Sequence, residues 1–286
     1  MSTPALVESA PAAHADSGVA YWREELARGK AQLQRDFMAA PDTPRLLRGL
    51  ARLTDRVLVG VWNEIGVDGD LALIAVGGFG RGQLYPHSDV DVLVLLPGEL
   101  DAKSAEPVGR FFTTLWDIGI ELGHAVRTLD ECEQEMDADI TVRTSLLESR
   151  RVTGSRRLYQ QFRKRFAATL DVAKFYDAKV LEQQQRHLKY HDASSNLEPN
   201  VKESPGGLRD LQTVLWIARA MGVGRTWSDM ARNGLLTMNE ARSVSRQQRL
   251  IGALRVRLHY LAGRREDRLI FDQQTALARQ IGLADT

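Results

Sequence analysis

Two apolar runs separated by a glycine-rich turn, LIAVGGFGRGQLYPHSDVDVLVLL (residues 73–96), constrain this chain more than any other stretch. LALIAVGG is ended by its glycines and VDVLVLLPG by Pro-Gly, so both read as short strands. The second strand opens on Asp89 and Asp91. In an extended strand, positions i and i+2 face the same way about 7 Å apart, so the two carboxylates project together. Val90 and Val92 pack on the opposite face. Neighbouring like charges repel, and each costs desolvation energy in a core. A divalent cation between them removes both problems, and paired hard oxygen donors with positions left for phosphate oxygens suit Mg2+.

Gly77, Gly78, Gly80 and Gly82 allow a sharp turn whose backbone N–H groups can meet phosphate oxygens, and Arg81 adds a cation. No Lys-Ser/Thr pair follows these glycines, so the turn is not a P-loop. The spacing G-G-x-G-x-G, with an acidic strand within a dozen residues, is not the dinucleotide fingerprint either.

The surrounding pattern is α/β. Residues 1–20 are rich in Ala, Ser and Pro and read as a disordered tail. Helical patterns run from Tyr21 to about Phe37 and again from near Pro44, where Leu46, Leu47, Leu50, Leu53, Val57, Leu58 and Val61 form a stripe. A helix between Ser104 and Ile118 precedes a third strand, IELGHAVRT (120–128), and Thr128 with Glu131 forms a capping-box pattern. Beyond residue 150 no strand is expected. Helical patterns cover 155–191, 207–222 and 237–263, and in the last of these Arg242, Arg246, Arg249, Arg255, Arg257 and Arg264 read as a solvated face. The polar segment 192–207, DASSNLEPNVKESPGG, is long for a simple connection, which marks it as a functional candidate.

A net charge of +1 gives no bulk attraction to nucleic acid or to a membrane surface. The single cysteine, Cys132, excludes an internal disulfide and fits a reducing compartment. No apolar run approaches a membrane span and the N-terminus carries no secretory pattern, so the expected location is the cytoplasm.

Gly-Gly followed by Asp-Val-Asp on the next strand resembles the nucleotidyltransferase superfamily related to DNA polymerase β. More narrowly, VGGFGRGQLYPHSDVDVLVLL, GHAVRTLDE, TVRTSLLESR and EPNVKESPGGLRDLQTVLW, in that order, resemble the N-terminal part of the bifunctional uridylyltransferase/uridylyl-removing enzymes. The resemblance implies a small polymerase-β-like domain with a mixed sheet and N-terminal helices over 21–150, then an all-α domain over 151–286. The metal-dependent HD hydrolase and the ligand-sensing ACT domains of that family lie outside these residues, so the chain is expected to be a fragment lacking uridylyl-removing activity.

The implied reaction is Mg2+-dependent transfer of UMP from UTP to a tyrosine hydroxyl of the nitrogen-regulatory PII protein. Asp89 and Asp91 would hold the metal, and the Gly77–Gly78 turn, with Arg81 and Ser88, would bind nucleotide. The superfamily's third carboxylate has Glu121 as its candidate, the alternative being an ordinary strand-end charge; His124 reads as structural, and Arg127 either reaches a phosphate or pairs with a carboxylate. In KESPGGLRD (202–210), Lys202 and Arg209 are candidate phosphate-neutralising groups, the helix start offers N–H groups to an anion, and Asp210 caps the helix or pairs with Arg209. Nothing in the motifs reads the base, so an adenylyltransferase-like activity on another protein is the alternative, and a catalytically silent nucleotide-binding module is a second.

Overall fold

The computed structural model describes residues 12–190 and 197–283. Helix α1 (Ala12–Ala39) leads into α2 (Thr43–Ile65), which Asp42 caps by accepting from the Arg45 N–H and which ends on Gly66 at φ 73°. All seven residues of the expected α2 stripe are buried. Four strands follow: β1 (Ala72–Ala75), β2 (Val90–Leu96), β3 (Leu122–Thr128) and β4 (Arg150–Gly154), in the order β3-β2-β1-β4. β1 runs antiparallel to β2 and β4, whereas β2 and β3 are parallel, so the sheet is mixed.

Both faces of the central strands are covered. Leu73, Ala75, Val92, Val94 and Leu96 pack towards α1, α2 and α4 (Ala102–Ile118). Ala72, Ile74, Leu93 and Leu95 pack towards α5 (Leu129–Ala138), α6 (Ile140–Leu147) and α7 (Arg156–Thr169). Burial on both faces explains why β1 and β2 read as continuous apolar runs. Asp91 shares the parity of Leu93, so it faces the α6 side of the sheet. The remaining helices are α8 (Val172–Tyr190), α9 (Leu208–Ala220), α10 (Trp227–Arg232), α11 (Met238–Ala262) and α12 (Phe271–Gln280). None of the described helices is long and apolar enough to cross a membrane. The chain thus folds as a small α/β domain with a mixed sheet, followed by a helical region.

Several expectations are corrected. Helix α1 starts at Ala12, so residues 12–20 are helical where a tail was expected, and residues 1–11 lie outside the described residues. A strand does follow residue 149: β4 pairs with β1, and its sequence RRVTG hides it because the arginines break the apolar pattern. The helical pattern 155–191 is two helices, divided at Leu170 and Asp171. Arg255 and Arg257 are buried, not solvated. Arg255 pairs with Asp267 and lies 4.0 Å over the Tyr85 ring, while Arg257 bonds Gln280 and covers Phe37. Of the segment 192–207, residues 192–196 lie outside the described residues. The rest is tied to the chain after α11, with Val201 N–H donating to Asp267 O at 2.8 Å and Leu269 N–H to Pro199 O at 2.9 Å.

Candidate active site

Asp91 sits in a slot made by two glycines. β2 pairs with β3 so that Asp91 lies opposite Gly123, and a Cβ on Gly123 would fall 2.4 Å from Asp91 Oδ1. On the other side the chain leaves β1 into α3 (Gly77–Gly80), a single helical turn in which Gly77 has φ 56°. A Cβ there would meet Ser145 Oγ at 3.3 Å and Asp91 Oδ2 at 3.6 Å. The Val76 N–H donates to Asp91 O at 3.0 Å, fastening the turn to the acidic strand. Burial, then the neighbouring Asp89 charge, pushes the Asp91 carboxyl up to about 6, against the pull of Lys202 and Arg265. Asp89 stands at the mouth of the site, where its Oδ2 accepts from Arg265 Nη1 at 2.8 Å.

One cavity of about 380 Å3 collects Gly77, Gly78, Arg81, Ser88, Asp89, Asp91, Lys202 and Arg209. Sequence separation hides this: the glycine turn, the acidic strand and the 202–209 segment meet only in the fold. Arg81 pairs with the buried Glu148 and donates to Gln83 Oε1 at 3.2 Å. Burial raises the Glu148 carboxyl, with Arg81 working the other way. Lys202 lies 3.3 Å from Glu203 and 4.0 Å from Asp267; burial, then Arg209 and Arg255, lower its pKa. Arg209 bonds Glu203 Oε1 at 3.0 Å and Gln212 Oε1 at 3.2 Å.

The start of α9 differs from expectation. Its Leu208 and Arg209 N–H groups donate to Val201 O and Lys202 O at 3.1 and 2.8 Å, so they are not free for an anion. Asp210 does not pair with Arg209. It accepts from Gly206 N–H at 2.7 Å and is bound by Gln183, Arg186 and His187 of α8. The segment therefore offers side-chain cations, not backbone donors.

Glu121 is absent from this cavity. It lies immediately before β3, with its carbonyl accepting from the Val90 N–H at 2.9 Å. It lines an adjoining cleft with Lys30 and His87 instead. His124 is packed against Phe112 and Trp116, with ring centroids 4.4 and 5.4 Å away, and Arg127 pairs with Glu135 at 3.1 Å.

Sequence reasoning missed Ser145, Glu148, Lys179, Arg255 and Arg265, all of which line the main cavity. Ser145 and Glu148 fall within TVRTSLLESR, whose resemblance offered a signal; Lys179, Arg255 and Arg265 offered none beyond charge. Lys179 is fully buried, 2.6 Å from Glu182 and 4.5 Å over the Trp216 ring, and burial lowers its pKa.

Among the described residues no group of three or more His, Cys, Asp or Glu is placed to hold a metal. The donor set that fits a cation is the Asp89–Asp91 pair. Asp91 is partly desolvated beside a like charge, a condition a dication relieves, and the pair opens onto a cavity bearing cationic side chains.

The glycine turn, the acidic strand and cations of the helical region thus line one cavity. The family model described as nucleotidyltransferase domain matches residues 60–188, and the one described as GlnD PII-uridylyltransferase matches residues 174–286. The chain is 50% identical over 266 residues, 93% of its length, to the bifunctional uridylyltransferase/uridylyl-removing enzyme of Chromobacterium violaceum. It is 50% identical over 264 residues, 92% of its length, to the enzyme of that name from Burkholderia thailandensis. It spans 31% of the length of each. The chain is thus similar to nucleotidyltransferase domains in its first part and, over most of its length, to the N-terminal portion of the bifunctional uridylyltransferase/uridylyl-removing enzymes.

Proposed function

We propose that the chain transfers UMP from UTP to a tyrosine hydroxyl of a nitrogen-regulatory PII protein, with Mg2+ held by Asp89 and Asp91, in the cytoplasmic control of nitrogen metabolism. One observation carries the reading: Asp91 is seated between Gly77 and Gly123 in the same cavity as Lys202 and Arg209. When bound, Mg2+ neutralises charge at the α-phosphoryl group and the leaving oxygen. The chain's own residues do the rest. The Gly77–Gly78 backbone lets phosphates approach closely, and Arg81, Lys202 and Arg209 offset their charge. A bond forms between the acceptor oxygen and the α-phosphorus as the bond to the bridging oxygen of pyrophosphate breaks. Glu121 is the proposed acceptor of the hydroxyl proton.

The names of the relatives support uridine as the base and PII as the acceptor family. The test is mass spectrometry of a PII protein incubated with the chain, Mg2+ and each of the four NTPs in turn. The expected product carries one uridylyl group, and Asp91→Asn lowers its rate at least about a hundredfold with the fold retained. Addition of an adenylyl group, or wild-type transfer by Asp91→Asn, contradicts the proposal.

A further inference from the structure

A second cavity, of about 220 Å3, adjoins the first and shares Leu84, Tyr85 and Ser88 with it. Its walls are apolar, from Leu26, Leu50, Val90 and Ile120, while Lys30, Gln34, His87 and Glu121 supply polar groups. The size falls below the ~300–1,000 Å3 of ordinary small-molecule sites, so it suits one side chain better than a whole nucleotide. An apolar body with polar groups nearby is complementary to a phenol, which has an apolar ring and a polar tip.

The partition between the cavities is firmly held. His87 has φ 55°, the one positive value at a non-glycine among the described residues. Ser88 N–H donates to Tyr85 O at 3.2 Å, and Pro86 O is bonded to the fully buried His259. His259 is itself fixed by Asp267 at 3.1 Å.

The two cavities also differ in charge. Arg81, Lys202 and Arg209 line only the first, so the triphosphate and its leaving pyrophosphate belong there. Phosphoryl transfer places the attacking and leaving oxygens roughly in line on opposite sides of the phosphorus. A nucleophile entering through the second cavity arrives past Ser88, away from those cations, with the Glu121 carboxylate beside it. Resting on the uridylyltransferase reading above, the geometry points to the second cavity as the slot that receives the acceptor tyrosine side chain of the partner protein.

Two measurements test this. In the first, methyl NMR follows Leu26, Leu50, Leu84 and Val90 while N-acetyl-L-tyrosinamide is added to the full chain. Shifts confined to these methyls, and abolished in Gln34→Trp, are expected; shifts elsewhere, or none, overturn the slot. This arm needs no transfer activity, so it decides the inference even if the chain transfers nothing, an outcome that would count against the uridylyltransferase reading alone. In the second, Gln34→Trp and Lys30→Ala raise the KM for the PII acceptor about tenfold and leave that for UTP within about twofold. A rise in the UTP KM instead assigns the cavity to the nucleotide base and overturns the proposal, as does an unchanged acceptor KM. Lys30→Ala guards against misfolding, since it only shortens a side chain on α1.

Discussion

Replacing Gly123 by alanine puts a methyl group where the Asp91 carboxylate lies. The added Cβ would stand 2.4 Å from Asp91 Oδ1, against the 3.4 Å at which ordinary contact begins, so about 1 Å of movement is required. Backbone movement is opposed by the parallel pairing of β2 with β3. The carboxylate is the cheaper part to move, and an off-rotamer turn of its short side chain costs roughly 0.5–1.5 kcal/mol. Stability therefore falls only slightly. Function falls much further, because a 1 Å misplacement at a reacting centre costs on the order of a hundredfold. The assay pairs a thermal melt with the rate of UMP transfer and with Mn2+ affinity by electron paramagnetic resonance. Wild-type rate and Mn2+ affinity in Gly123→Ala would refute the argument that this glycine exists to seat Asp91.

Asp267 joins the segment after α11 to the core, and burial, which alone would raise its carboxyl, is outweighed by His259, Arg255 and Lys202, which hold it below the usual range. A carboxyl depressed in the folded state contributes stability above its unfolded pKa of ~3.9, and that contribution is lost as pH falls through the folded value. Asp267→Asn should thus cost about 3 kcal/mol at neutral pH, and the melting-temperature gap to wild type should narrow only below about pH 4. A gap that narrows between pH 5 and 7 would contradict this. For Cys132, burial pushes the thiol up to about 12, so a thiol-reactive disulfide reagent at pH 8 should modify it only after unfolding. Rapid labelling of the native chain would show the site to be open.

The chemistry of the site was readable where it is local in sequence. Glycines, a short segment and Asp-x-Asp at the head of an apolar strand leave few physical alternatives. Two kinds of feature were not readable. One is the surroundings of a strand end: Glu121, the candidate third carboxylate, lies just before β3 and lines another cleft. The other is burial by tertiary pairing. Arg255 and Arg257 read as solvated until Asp267, Tyr85 and Phe37 are brought against them. The edge strand β4 escaped for a related reason, since RRVTG carries its charges on a strand with one open edge. Lys202 and Arg209 were marked by composition, but only the fold carries them some 110 residues back to the acidic pair.

The most direct test is a crystal of the chain grown with UTP and Mn2+ and measured for anomalous scattering. The expected result is a manganese peak coordinated by the carboxylates of both Asp89 and Asp91, with the triphosphate on the side of Gly77, Lys202 and Arg209. Bound nucleotide with no ion at that pair, or with its phosphates turned away from those residues, would contradict it.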